Sequence, residues 1–519
     1  TALVWIHAPH KESHSISARK RFAFEEVFFI QLARQKMRQE YKRNLSYKIV
    51  RDEKNIDAFV KRFPFEFTQS QKKAISVILS DFEKTEPMSR LLEGDVGSGK
   101  TAVAATTAYT VATSRPAEQN FGNLQVAYMA PTEILAQQHF ESFVEYFSHL
   151  PIQIGLITGS GCKKFPSKIN PEKSTDISRT QLLKWVAHGE IPILIGTHAL
   201  IQKTVTFKHL AFVIIDEQHR FGTMQRANLS RKNKKNGSYV APHLLSMTAT
   251  PIPRTLALTI FGDLDLTLLD EMPAGRKPII TEIVSKDKRM EAYEEIKTKL
   301  REGRQLYVIC PRIDEPDPKK LLALNVKSVK AEAKKLKQEV FQDYEIGILH
   351  SKLKPKEKER VMKDFSDKKI DILVATSVVE VGVNVRNATM IIIEGAERFG
   401  LAQLHQLRGR VIRSSHQAYC YIFADVKSKN SFERLRALKR ARNGFELAEL
   451  DLHIRGAGEL AGRKQWGISD IGMEAIKNIK MVEAARTEAS ALLEKDPELK
   501  THPFLAKCLS GKEAAIYFE

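Results

Sequence analysis

Cysteine is scarce: Cys162, Cys310, Cys420 and Cys508 are the only four in 519 residues. No two lie at the short spacing of a zinc knuckle or a redox pair, so neither a metal cluster nor a disulfide framework is expected. They read as reduced thiols of a cytosolic protein. Long apolar runs are missing as well. No stretch reaches the roughly 18 uninterrupted apolar residues of a membrane span, so no membrane partner is expected. No signal-peptide pattern, internal repeat or low-complexity tract is visible. The chain opens on Thr1 rather than Met and reads as a fragment, which leaves the missing leader as weak evidence. Acidic residues are in deficit: 62 Asp and Glu face 82 Lys and Arg, for a net charge of +20. A surplus of this size favours a polyanionic partner, nucleic acid first. The bland alternative is a basic protein with no such partner.

What is present suggests several cores, since one domain takes ~100–200 residues. Residues 1–62 are basic and carry a helical pattern, with Phe24, Val27, Phe28, Ile30 and Leu32 on a broad apolar face. From "FPFEFT" at Phe63–Thr68 onward, short apolar runs alternate with helical stretches. The strand candidates are Arg90–Glu93, Leu124–Met129, Ile154–Ile157, Ile193–Ile195, Phe212–Ile215 and Leu244–Met247. Their apolar residues are continuous rather than alternating, as in strands buried on both faces of a parallel sheet. A linker, "DEMPAGRKPI" at Asp270–Ile279, leads to a second series. That series is Leu306–Cys310, Ile346–Leu349, Ile372–Ala375, Thr389–Ile393 and Ala418–Phe423. Within it Val326, Val329, Ala333, Leu336 and Val340 form one helical stripe under a lysine-covered face that reads as solvated. The expected boundaries are 1–62, 63–275, 276–442 and 443–519, the first and last helical and the middle two doubly wound α/β units.

"GDVGSGKT" at Gly94–Thr101 follows a strand and opens a helix, the context that a phosphate-binding loop requires. Gly94, Gly97 and Gly99 let backbone N–H groups approach phosphates, and the helix N-terminus adds partial positive charge. Lys100 is expected at the β/γ-phosphates of ATP, and the Thr101 hydroxyl on Mg²⁺. "FVIIDEQH" at Phe212–His219 places Asp216 and Glu217 at the C-terminal end of a buried strand, where open α/β sheets bind ligands. Asp216 is expected to hold Mg²⁺ and Glu217 to polarise the attacking water. Gln71, in "FTQSQKKAI", has two readings: an amide for the adenine edge, or a helix-start glutamine.

"QLHQLRGRVIRS" at Gln403–Ser414 packs Arg408, Arg410 and Arg413 together with no carboxylate. Like charges so crowded call for an anion. Arg410 and Arg413 are expected to reach the γ-phosphate held by the first unit, as fingers that stabilise charge in phosphoryl transfer. The bland reading is a surface helix with scattered arginines.

These motifs stand in the order "GDVGSGKT", "MAPTEILAQQH", "IGTHALIQ", "IIDEQHRFG", "SMTATPIPRTLALT", "LVATSVVEVGVNVRNATMIIIEGAERFGLAQLHQLRGR" and "DLHIRGAGELAGRKQWG". In order and wording the chain resembles the superfamily 2 helicases of the RecG family, from about residue 15 to the end. The resemblance implies two tandem RecA-like doubly wound parallel-sheet domains, an N-terminal helix and a C-terminal helical hairpin and loop. It implies an ATP-driven motor on duplex or branched DNA, such as stalled forks and Holliday junctions, cytoplasmic and monomeric. Single-stranded DNA-binding protein is an implied partner. By resemblance Thr132, Thr197 and His198 contact the DNA backbone. Thr248, Ala249 and Thr250 link nucleotide state to DNA grip, and Thr376, Glu380 and Gly382 touch DNA and nucleotide from the second domain. Gln406, Arg410 and Arg413 form the finger motif. Arg455 and Gln465 convert domain closure into translocation. The family's N-terminal wedge is expected to be absent from this chain. The finger motif also departs from Arg-x-Gly-Arg, because Ile412 stands at the glycine, and a left-handed backbone there would misaim Arg413. Two other readings stay open: the transcription-repair coupling factor, which shares the motor wording, and a clamp that binds ATP without turnover.

Overall fold

A computed structural model gives the three-dimensional structure. It describes residues 1–516 except 117–118, 120, 218–233, 236–237, 251, 261, 274, 276, 312–328, 351, 377–384, 386, 413–415, 426–428, 456–474 and 476–477. The fold is α/β, with two parallel-stranded sheets in tandem.

The first sheet is built from β1 Ser89–Gly94, β2 Gln125–Met129, β3 Ile154–Ile157, β4 Cys162–Phe165, β5 Thr175–Asp176, β6 Ile193–Gly196 and β7 Leu210–Ile215. A short hairpin of β8 Lys234–Lys235 and β9 Ser238–Tyr239 stands apart, and β10 His243–Thr248 and β11 Asp265–Leu269 complete the sheet. Its order is β11-β1-β10-β7-β2-β6-β3-β4-β5, nine strands. All are parallel except β4 and β5, which join the β3 edge antiparallel. The six expected strands are present. They are Val-, Ile- and Leu-rich because each sheet face carries its own core: on β2, Val126 and Tyr128 enter one core, and Ala127 and Met129 the other. The strands not foreseen are the ones this pattern cannot reveal. β4 reads Cys-Lys-Lys-Phe, and β11 is half-exposed at the far edge.

The second sheet is fully parallel, with β12 Ile280–Val284, β13 Gln305–Ile309, β14 Ile346–Leu349, β15 Ile372–Ala375, β16 Ala388–Glu394 and β17 Tyr419–Phe423 in the order β12-β17-β16-β13-β15-β14. Here the unforeseen strand is β12, an edge whose apolar run Glu282 interrupts. The helical stripe holds: Val329, Ala333, Leu336 and Val340 are buried in one of this unit's cores, while Val326 lies outside the described residues.

Helix α1 (Ala2–His7) precedes α2, Glu12–Lys42, a helix of 31 residues. Helix α2 is held on both sides. Its Val27 packs with Val482 and Ala485, and Leu32 with Ala489 and Leu493, of the C-terminal helix Ile479–Lys495. Toward the first unit, Gln31 and Gln35 donate to the carbonyls of Leu258 and Gly262 at 3.0 Å, and Arg38 pairs with Asp265 at 2.6 Å. The two ends of the chain thus form one brace on the first unit. Among the described residues no helix is long and apolar enough to cross a membrane.

Candidate functional site

Apart from Gln71, every first-unit residue singled out above lies at the C-terminal edge of its sheet or at the start of a following helix. The strand order sorts them. β1, β10 and β7 are neighbours, and behind them come Gly94–Thr101, Thr248–Thr250 and Asp216–Glu217. β2 and β6 adjoin on the other side, and behind them come Thr132 and the pair Thr197–His198. One half of the edge therefore carries the nucleotide candidates and the other half the DNA candidates.

The loop after β1 has the shape a phosphate requires. Gly97 and Gly99 take φ of 83° and 88°, where a side chain would be strained. A Cβ on Gly99 would also lie 2.2 Å from Nε2 of Gln71. Lys100 and Thr101 open the helix Lys100–Thr113, so their N–H groups belong to a helix N-terminus. Lys100 Nζ donates to the carbonyls of Gly94 at 2.5 Å and Asp95 at 2.9 Å. Gln71 touches both its own helix and the loop. It is buried at the start of the helix Gln69–Phe82, where its Oε1 accepts from Thr68 N at 2.9 Å in a capping box. Its Nε2 donates to Ser98 O at 2.7 Å. In this structure the amide braces the loop, with one N–H and one acceptor lone pair left over.

Asp216 is buried and Glu217 half-buried beside this loop. Asp216 Oδ2 accepts from His139 Nε2 at 2.7 Å and Oδ1 from Glu217 N at 3.0 Å. Burial pushes the Asp216 carboxyl up, but the His139 hydrogen bond and the Lys100 charge carry it below the usual carboxylate range. Burial and the Asp216 charge raise Glu217, against the pull of Lys100 and Arg410. Glu217 also takes φ of 51°, a sparsely populated value for a residue other than glycine. Neighbouring carboxyls pushed in opposite directions suit one as a cation ligand and the other as a proton acceptor.

The second unit closes on this loop through the helix Leu401–Arg408. Gln406 Nε2 donates to Thr250 Oγ1 at 2.6 Å. Arg410 is 8% exposed, and its charge acts on Glu217 across the cleft. Arg408 is structural: it donates to Leu438 O at 2.6 Å and to His405 Nδ1 at 3.0 Å. Since arginine only donates, His405 Nδ1 accepts, and the ring proton sits on Nε2. That proton reaches Asp95 Oδ1 at 2.9 Å, and Gly444 N donates to Asp95 Oδ2 at 2.8 Å. Burial raises the Asp95 carboxyl, but the His405 and Gly444 bonds hold it below its ordinary value. Gly409 lies so close to the loop that a Cβ there would meet Val96 at 2.7 Å. Ile412 takes φ of −90°, a value open to branched residues, so the feared left-handed strain is not present.

In the DNA half, Thr132 caps the helix Glu133–Phe147 through its Oγ1 and the Leu135 N–H. Thr197 is buried and His198 exposed at the end of β6. Thr248 Oγ1 accepts from Thr250 N at 3.1 Å, and Ala249 is buried between them. Thr376 is buried at the end of β15. Glu380, Gly382, Arg413 and Gln465 lie outside the described residues, as do the Arg455 side chain and residues 456–474. Arg455 itself closes the helix Gly444–Arg455.

Sequence reasoning missed Glu93, Asp95, His139 and His405. Asp95, His139 and His405 stand inside quoted motifs and Glu93 just before one, but the partners are 77 residues away for His139 and 310 for His405. Only folding brings those pairs together. Glu93 alone carried a local signal: a carboxylate inside an apolar strand.

Three stretches match known families: DEAD/DEAH box helicase over residues 68–259, helicase conserved C-terminal domain over 287–415, and ATP-dependent DNA helicase RecG, domain 3, C-terminal, over 441–506. The chain is 42% identical over 507 residues to the ATP-dependent DNA helicase RecG of Synechocystis sp., covering 97% of this chain and 57% of that protein. It is 41% identical over 500 residues to the RecG of Bacillus subtilis, covering 95% of this chain and 68% of that one. A solved structure of RecG bound to a three-way DNA junction superposes with a TM-score of 0.71 at 38% identity, covering 93% of this chain and 59% of that one.

Proposed function

From the premise that this chain belongs to the RecG family of ATP-dependent DNA helicases, we propose that it is an ATP-driven translocase on double-stranded DNA that remodels branched DNA in recombination and repair. The chain spans 57% of the Synechocystis relative and 68% of the Bacillus one. The observation that carries the reading is the cleft between the units: His405 reaches Asp95 of the lysine loop, Gln406 reaches Thr250, and the Arg410 charge acts on Glu217, which stands beside Asp216.

ATP is the substrate of this cleft. Lys100 leaves its carbonyl partners for the β/γ-phosphates, with Gly94, Gly97 and Gly99 keeping the backbone open to them. The donor set fits a Mg²⁺ ion: the Thr101 hydroxyl and the Asp216 carboxylate are hard oxygen ligands. Among the described residues no cluster of three or more His, Cys, Asp or Glu could cage a metal, consistent with a cation held largely by phosphate oxygens and water. When bound, it neutralises charge on the phosphates. His139 holds the Asp216 carboxylate in orientation. Glu217 accepts a hydrogen bond from the attacking water. Arg410 and Arg413 stabilise charge on the transferred phosphoryl group, with Gln406 and Gly382 supporting the second unit's side.

Thr132, Thr197 and His198 contact the DNA backbone from the first unit, and Thr376 and Glu380 from the second. The segment Thr248–Thr250 carries nucleotide state between the units, because Gln406 grips it from across the cleft. Asp95 and Gly444 tie the lysine loop to the helix that ends at Arg455, and Arg455 and Gln465 turn closure into movement. A monomer in the cytoplasm, with single-stranded DNA-binding protein as a partner, completes the reading.

The test is ATP hydrolysis with and without forked DNA, alongside strand displacement on the same substrate. Hydrolysis stimulated by the fork is expected. Hydrolysis indifferent to DNA would sink the motor reading.

A further inference from the structure

Glu93 is the last residue but one of β1, immediately before the lysine loop, and it is 2% exposed. Its Oε1 accepts from Ile252 N at 2.9 Å. Its Oε2 is buried with no hydrogen-bond partner among the described residues. A buried carboxylate with an unpaired oxygen is costly, so something other than stability has to be served. Ile252 ends the same segment whose Thr250 is gripped by Gln406 from the second unit. The segment is thus held at two points, by Glu93 from the nucleotide strand and by Gln406 from across the cleft.

The strand neighbours of Glu93, Thr248 on β10 and Leu268 on β11, are uncharged. The charges acting on Glu93 are Lys100 and Asp95, both in the loop that follows it. Burial, opposed by the Ile252 bond and Lys100, pushes its carboxyl up to about 7.

We propose that Glu93 is a positioning residue that anchors segment 248–252 to the nucleotide strand, and that a proton on Glu93 tightens the grip of the lysine loop on nucleotide phosphates. The inference rests on the nucleotide-site reading above. An ionised Glu93 puts negative charge behind the loop and competes with phosphate for Lys100. A protonated Glu93 does neither and keeps Oε1 as acceptor for Ile252. By linkage, polyphosphate binding takes up a proton, and affinity falls as pH rises through neutrality.

The test is calorimetry of ADP binding to the wild-type chain and to Glu93→Gln, in two buffers of different ionisation heat. Glutamine keeps the acceptor and the shape but cannot titrate. The nucleotide's own titration is common to both proteins and cancels. Wild type is expected to take up extra protons relative to Glu93→Gln, and to lose about three- to tenfold more affinity between about pH 6 and about pH 8. Parallel pH profiles would overturn the proton role. Glu93→Leu removes the anchor and is expected to lose DNA stimulation of hydrolysis that Glu93→Gln retains; retention by both would overturn the anchoring role. If neither variant folds, proton uptake by wild type in excess of that set by the nucleotide's phosphates still decides, and none would refute the proposal. Absence of ADP binding by wild type would remove the nucleotide-site reading and this inference with it. Binding without differential uptake removes the inference alone.

Discussion

The two α/β units share a strand pattern and divide the chemistry. The first unit's charges rest on fixed partners: Lys100 on loop carbonyls, Asp216 on His139, and Asp95 on His405 of the second unit. The second unit brings groups that face outward across the cleft, Gln406 onto Thr250 and Arg410 toward Glu217. On the proposed reading one unit holds nucleotide and the other completes the charge around it, so the same edge position, after a parallel strand, would serve binding in one unit and catalysis in the other. The division explains why a run of arginines without acids is tolerable: the compensating carboxylates sit in the other unit.

The sharpest way to break that division is to remove one side at a time. Lys100→Ala should abolish both ADP binding and hydrolysis while sparing salt-sensitive DNA binding, because phosphate-backbone contacts supply most of that affinity. Arg410→Ala should lower kcat by about 10³-fold, with ADP affinity within about threefold. A loss of ADP affinity as large as the loss of kcat would show that the second unit also holds the ground state.

A second test concerns charge stored in the first unit. The Glu93 carboxyl stands at about 7 in the folded chain against an ordinary 4.5, so between these values the folded state binds more protons than the unfolded one. Stability therefore falls as pH rises from about 4.5 to about 7. Glu93→Gln should abolish this fall and raise unfolding stability at about pH 8 by on the order of 2 kcal/mol, read as a denaturant midpoint. Equal midpoints for the two proteins at about pH 8 would show that the carboxylate is better solvated than its burial suggests.

Next in size is the bridge between units. His405→Ala leaves Asp95 and Arg408 each short of a buried partner, a cost of about 1–3 kcal/mol. DNA-stimulated turnover should drop about tenfold, and His405→Gln, which can donate and accept, should recover most of it. A fully active alanine variant would make the bridge a bystander. The smallest effect is expected from Ile412→Gly. With φ at −90° the isoleucine is unstrained, so turnover should change less than about twofold. A large gain would mean that the loop needs another conformation during the cycle.

Where chemistry repeats along the chain, the sequence was readable. Strands such as Ile193–Gly196 are apolar throughout because both faces are buried. The lysine loop reads from its glycines because only Gly97 and Gly99 take those angles cheaply. Strands with charged residues in the run escaped: the edge strand β12 carries Glu282, and β4, between β3 and the two-residue β5, carries Lys163 and Lys164. Gln71 was undecidable, because capping a helix and meeting a base ask for the same amide.

The sequence by itself determined which residues could bind phosphate, hold a cation or offer guanidinium, because those capacities belong to local backbone geometry and side-chain chemistry. Only the tertiary structure decided which of them are paired. It set Asp95 against His405, His139 against Asp216 and Glu93 against Ile252, because contacts over such sequence distances depend on strand order and on the closing of one sheet's edge against the other unit.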